Sequence, residues 1–97
     1  MQRRYFVYIF TNIFRSTLYI GMSGDMSRRF DQHQHSTVRG FTKKYRVLYP
    51  VYFEAHEDAW SAIRREKQIK NWRRSKKEAL IATINPEWED LSKVISL

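Results

Sequence analysis

Tyr5-Phe6-Val7-Tyr8-Ile9-Phe10 is aromatic or β-branched without a break, and no other feature of the chain constrains its fold as much. Side chains of these shapes suit a pleated surface and lose rotamer freedom in a helix. An unbroken apolar run leaves no polar face, so the strand it forms should be buried on both sides, with helices covering its sheet. The run is far shorter than the roughly 18 apolar residues that mark a membrane span, and it lacks the small-residue cleavage site of a signal peptide. Thr11-Asn12 punctuates it, and Thr17-Leu18-Tyr19-Ile20-Gly21 repeats its character. The two segments read as a hairpin.

Further along, Ser23-Gly24-Asp25 offers turn and cap chemistry before residues 26–33, where Met26, Phe30 and His33 recur at helical spacing. Residues 36–46 have no clear period and read as a loop with a short helix. Residues 47–54 have strand composition, and Pro50 within them points to an edge strand or a bulge, because proline cannot donate to a ladder. A helix is expected from Glu57 to about Trp72, with acids in its first turn and bases in its last. Ser75-Lys76-Lys77-Glu78 fits a capping box, placing the next helix start at Ser75, and Asn85-Pro86 ends it. Trp88 and Leu91 should fold a last short segment back onto the core. A chain of 97 residues suits one domain, with no room for a separate specificity module.

The charge balance points to a polyanionic partner: 18 Lys and Arg stand against 10 Asp and Glu, a net charge of +8. Without cysteine there is neither a disulfide nor a thiolate metal site, and a soluble cytoplasmic protein with no membrane association is expected. Between Ser61 and Lys77 eight bases surround one acid, Glu66. On a helical wheel at about 100° per residue, Glu66 falls within roughly 60° of Ala59, Ala62, Ile63 and Ile69, on the apolar stripe. A carboxylate there needs a partner. That partner is either an Arg or Lys in a salt bridge, or a divalent cation such as Mg²⁺, which takes one or two carboxylates and keeps several waters. Arg29 and His33, four apart, share a helix face suited to a phosphate, or else are a solvated charge and a packed ring. Tyr8 and Tyr19 sit in strands, where core packing is the ordinary role, and Gly21 marks a close approach to the backbone.

Taken in order, Val7-Tyr8-Ile9, then Tyr19-Ile20-Gly21, Arg29, His33 four further on, and Glu66 on a later helix resemble the GIY-YIG nuclease family. The stretches Gly40-Phe41-Thr42-Lys43-Lys44-Tyr45 and residues 65–74 resemble its short stand-alone members, related to the nuclease domains of excision-repair and structure-specific endonucleases. The resemblance covers about residues 5–84 of a single domain spanning 1–97 and leaves 85–97 as a C-terminal extension. It implies an α+β fold: a small central antiparallel three-stranded sheet flanked by helices, with the site on one side of the sheet. By position, Tyr8 matches the tyrosine of the first motif, Tyr19 and Gly21 the second, Arg29 the helix arginine, His33 a His or Tyr position, and Glu66 the metal-binding glutamate. Two departures stand out: the first motif, Phe6-Val7-Tyr8, has no glycine, and Met22 stands where some members place a lysine. Neither Asn71 nor Asn85 is clearly in register with the asparagine of some members.

What the resemblance implies is a DNA endonuclease using one Mg²⁺ or Mn²⁺ at Glu66, selective for branched, flapped or damaged forms and serving repair or recombination. The five matched residues should converge on one basic cleft. Arg28, Arg39, Lys43, Lys44, Lys70 and Arg73 would hold the backbone without reading sequence, and selectivity would come from substrate shape or a partner protein. RNA stays open as substrate. The rival readings are a noncatalytic nucleic-acid-binding module that keeps the fold, and a basic adaptor for an acidic protein.

Overall fold

The computed structural model describes residues 4–25 and 48–95. Its elements are β1 (Tyr5–Asn12), β2 (Leu18–Ser23), β3 (Leu48–His56), α1 (Ala59–Lys70), α2 (Arg74–Ala82) and a single turn, α3 (Ser92–Ile95). The strands form one antiparallel sheet in the order β2-β1-β3. The apolar run is the central strand, and Val7, Tyr8, Ile9 and Phe10 are buried, as expected of a strand covered on both faces. Both expectations for Pro50 hold: β3 is an edge strand, and the β1–β3 register shifts between Ile9 and Phe10, where Pro50 enters the pairing.

Period-2 alternation divides the sheet into two faces. Val7 and Ile9 look to one side, where they pack with Val51, Tyr52, Ala62, Ile69 and Ile81 beneath α1 and α2. Tyr8 and Phe10 look to the other, where they cluster with Leu48, Phe6 and Phe53. Residues 26–47, including the expected helix at 26–33 and the loop at 36–46, lie outside the described residues.

Two helix starts differ from expectation. The first-turn acids are not inside α1: Asp58 is its N-cap, accepting from the Ser61 amide at 2.8 Å. This hydrogen bond is the main reason its carboxyl is held below the ordinary range. The capping box at Ser75 does not form. Arg73, in extended conformation, occupies the cap position of α2 with no side-chain cap, and Glu78 instead accepts from Arg74 Nε at 2.9 Å. An i,i+4 guanidinium outcompetes the reciprocal cap for that carboxylate.

The end of the chain folds back as expected. Asn85 is buried and donates to the Val51 and Glu89 carbonyls, while the Leu91 amide donates to the Pro50 carbonyl at 2.9 Å. At the same end of the sheet, Arg74 donates to the carbonyls of Arg15 and Ser16, tying the β1–β2 turn to α2.

Candidate active site

Tyr8 and Gly21 are directly opposite across β1 and β2. The Tyr8 ring lies over Gly21 so closely that a Cβ at position 21 would collide with its Oη and Cζ, so glycine is required there by close approach. The Tyr8 and Phe10 ring centroids are 4.8 Å apart. Tyr19 pairs with Phe10 and therefore shares the face of Tyr8, but it stands on an edge strand and is 43% exposed, whereas Tyr8 is 1% exposed.

Glu66 is on α1, which covers the other face. Arg65 leans toward β3, where its Nε donates to Glu54 at 3.1 Å. Glu66, about 100° further round the helix, falls on the far side of the buried Ala62–Ile69 line, toward β2. Its carboxylate is half-buried, with Oε1 3.2 Å from Nζ of Lys70. The salt-bridge alternative therefore exists, but its cation is 52% exposed and one turn away. Oε2 makes no hydrogen bond or ion pair with a described residue. The two tyrosines and Glu66 are thus carried by opposite faces of the sheet, which overturns the expectation of a site on one side of the sheet with these residues in a single cleft. Alternation along β1 and β2 commits Tyr8 and Tyr19 to the face that α1 does not cover, and only around the edge strand β2 do the two faces come within reach.

Arg29 and His33, and the backbone-holding candidates Arg28, Arg39, Lys43 and Lys44, lie outside the described residues. Of the other two, Lys70 is engaged by Glu66 and Arg73 is exposed at the start of α2. Among the described residues no three His, Asp, Glu or Cys side chains gather as a metal cage. A divalent ion at Glu66 would be held by one carboxylate and keep most of its waters, a coordination that Mg²⁺ accepts.

The family's sequence profile, described as the GIY-YIG catalytic domain, matches residues 4–79. The chain belongs to the GIY-YIG family. Its relatives include the UPF0213 proteins of Staphylococcus aureus strains Mu3 and N315, each 35% identical over 77 residues, covering 79% of this chain and 93% of theirs. The NMR structure of a UPF0213 protein from Bacillus halodurans superimposes with a TM-score of 0.59 at 25% identity, covering 94% of this chain and 96% of that one. The GIY-YIG fold is therefore shown, as a three-stranded antiparallel sheet with helices, and the domain is of a nuclease type that acts on nucleic acid.

The sequence reading missed a second polar cluster on β3. Tyr52, Glu54 and His56 alternate along one face of the strand. The Tyr52 hydroxyl donates to Glu54 Oε1 at 2.6 Å, His56 Nε2 lies 2.6 Å from Oε2, and Arg65 reaches the same carboxylate. Burial would raise the Glu54 pKa, but hydrogen bonds from Tyr52, His56 and Arg65 outweigh it and hold the carboxyl below its ordinary range. Burial, reinforced by the Glu54 hydrogen bond, pushes the Tyr52 phenol up to about 12. Arg65 also lies 5.2 Å from the Trp72 ring centroid, and Lys76 lies 4.3 Å from it. The available signal was three polar-tipped residues at period 2, followed by an arginine on the next helix.

Proposed function

We propose that the chain is a metal-dependent endonuclease that hydrolyses phosphodiester bonds in DNA, acting on branched, flapped or damaged forms in repair or recombination. The observation that carries the reading is Glu66: a half-buried carboxylate on the sheet-facing stripe of a basic helix, whose one ion pair among the described residues is to a half-exposed lysine. Its centre wraps round the β2 edge, with Tyr8 and Tyr19 on one side, Glu66 on the other, and Arg29 and His33 completing it.

Glu66 would hold the Mg²⁺ or Mn²⁺ ion, which when bound offsets the negative charge that builds on the phosphate oxygens during attack. Arg29 supplies a guanidinium to the same charge. The attacking water loses its proton to a tyrosine oxygen, and exposure favours Tyr19 for this role, with the buried Tyr8 positioning the strand pair around Gly21. A tyrosine's reference pKa near 10 means that neighbouring cations must favour the phenolate. His33 orients the water or relays its proton.

The test is incubation of the purified chain with labelled single-stranded, duplex, flap and branched DNA, and matched RNA, with Mg²⁺, with Mn²⁺ and with chelator. Ion-dependent cutting of the branched or flapped forms, abolished by chelator, is the expected result. Binding to every substrate without cutting under either ion would replace this reading with the noncatalytic binding module, which the missing glycine at Phe6-Val7-Tyr8 and Met22 also fit.

A further inference from the structure

The flank of α1 opposite Glu66 carries an open groove of about 440 Å³, lined by His56, Ser61, Arg64, Arg65 and Gln68. Residues 61, 64, 65 and 68 follow one helical face, and His56 closes the groove from the β3 edge. Its walls are rich in donors whose acids are already engaged. Glu54 is bound by Tyr52, His56 and Arg65, and Asp58 is bound by the Ser61 amide and hydroxyl. Gln68 Oε1 accepts from Arg65 Nη1 at 2.8 Å, which leaves its amide NH₂ to donate outward. Arg64 is exposed, contributes to holding the Asp58 carboxyl down, and makes no hydrogen bond or ion pair with a described residue. A guanidinium and an amide donor beside an open groove, walled on the β3 side by His56, make a seat for a phosphodiester group.

A second observation narrows the ligand. Trp60 is 73% exposed and lies four residues before Arg64, so the two side chains are neighbours on the helix surface. An indole left in water beside a phosphate seat is the arrangement on which unpaired bases stack, a contact that every base can make and that a base inside a duplex cannot.

We propose that Trp60, Arg64, Gln68 and His56 form a subsite for single-stranded nucleic acid, with a backbone phosphate in the groove and the adjoining base on Trp60. It rests on the nucleic-acid reading of the domain but not on cutting. It lies at the opposite edge of the sheet from Tyr19, so a substrate with an unpaired strand beside a duplex engages both flanks of α1.

The test uses the full chain in chelator, so that no cleavage occurs, with a fluorescent single-stranded oligonucleotide and a blunt duplex of the same sequence. Trp60→Ala and Arg64→Gln should each weaken single-strand binding about tenfold and blunt-duplex binding much less. Arg64→Gln should lower the slope of log K against log salt on the single strand by about 0.7, the contribution of one phosphate. Lys93→Gln, the same charge change on exposed α3, should alter neither. In the NMR spectrum, the Trp60 indole and Gln68 amide resonances should move on addition of the oligonucleotide.

Equal losses with Lys93→Gln would reduce the effect to net charge and overturn the proposal. So would equal losses on single strand and duplex, or resonances that answer to inorganic phosphate but not to the oligonucleotide. A wild type that binds no single strand overturns it as well, while ion-dependent cutting of duplex substrates in the separate assay would leave the nuclease reading intact.

Discussion

Glu54 and Glu66 leave the same fraction of their side chains exposed, 19% each, yet they are built to opposite ends. Glu54 is saturated: a phenol, an imidazole and a guanidinium share its two oxygens, all from residues held by β3 or α1. Glu66 has, among the described residues, one exposed lysine at 3.2 Å. Burial is equal and solvation cost comparable, so the difference lies in what replaces water. A carboxylate with several fixed donors ties the edge strand to the helix above it. One with a single displaceable cation among the described residues keeps coordination capacity for something else, which is what the proposed divalent ion requires.

The sharpest way to break this comparison is Glu66→Gln, which keeps shape and removes charge. Cutting should fall about 10²-fold or more, as when a charge-stabilising group is removed from a reacting phosphate. Melting temperature should hardly change, because an exposed i,i+4 pair contributes only about 0.3–0.5 kcal/mol. Ion-dependent cutting at the wild-type rate in the purified variant would show that Glu66 is an ordinary salt-bridge residue.

Glu54→Gln should give the reverse pattern. Leaving Arg65 and His56 underpaired should cost about 1–3 kcal/mol, read as a lower urea midpoint, with cutting per folded molecule preserved. The folded pKa of Glu54 lies below its ordinary value near 4.5, so its contribution is present above that value and lost as pH falls through the lower, folded one. The variant should lack that part of the acid unfolding slope. Loss of cutting with unchanged stability would reverse the roles assigned to the two acids.

A smaller effect appears at high pH. The Tyr52 phenol is raised from 10.0 to about 12, so the folded state holds its proton longer than the unfolded chain. Stability from this group is complete below pH 10 and declines as pH rises toward 12. Urea titrations of wild type and Tyr52→Phe should show the wild type losing stability more steeply in that window, by an amount of order 1–2 kcal/mol. Parallel curves would mean that Tyr52 is not coupled to Glu54.

The smallest effect is expected for Lys70→Met, which leaves Glu66 without its ion pair. Stability should change by less than about 0.5 kcal/mol, and the Mg²⁺ concentration that half-saturates cutting should fall about two- to threefold. An unchanged or higher requirement would mean that Lys70 does not compete for the carboxylate.

Much of this was legible in the linear chain. Unbroken β-type apolarity from Tyr5 to Phe10 pointed to a strand buried on both faces, and Pro50 to an edge position or a bulge, because both follow from local sterics and donor chemistry that no distant residue can alter. The position of Glu66 on an apolar stripe followed from helix period alone. What stayed illegible was how partners would be divided. Nothing in the spacing of Glu57, Asp58, Ser75 or Glu78 says that Asp58 caps α1 while Glu78 turns to Arg74.

Nor does the chain say that Glu54 rather than Glu66 receives Arg65. That choice depends on α1 crossing the sheet with Ala62 and Ile69 inward, an orientation set by the whole apolar core. A hydrogen bond needs its two groups within about 3 Å. Residue spacing determines which side chains share a face, but only the packing of one face against another brings donors from a helix and acceptors from a strand that close.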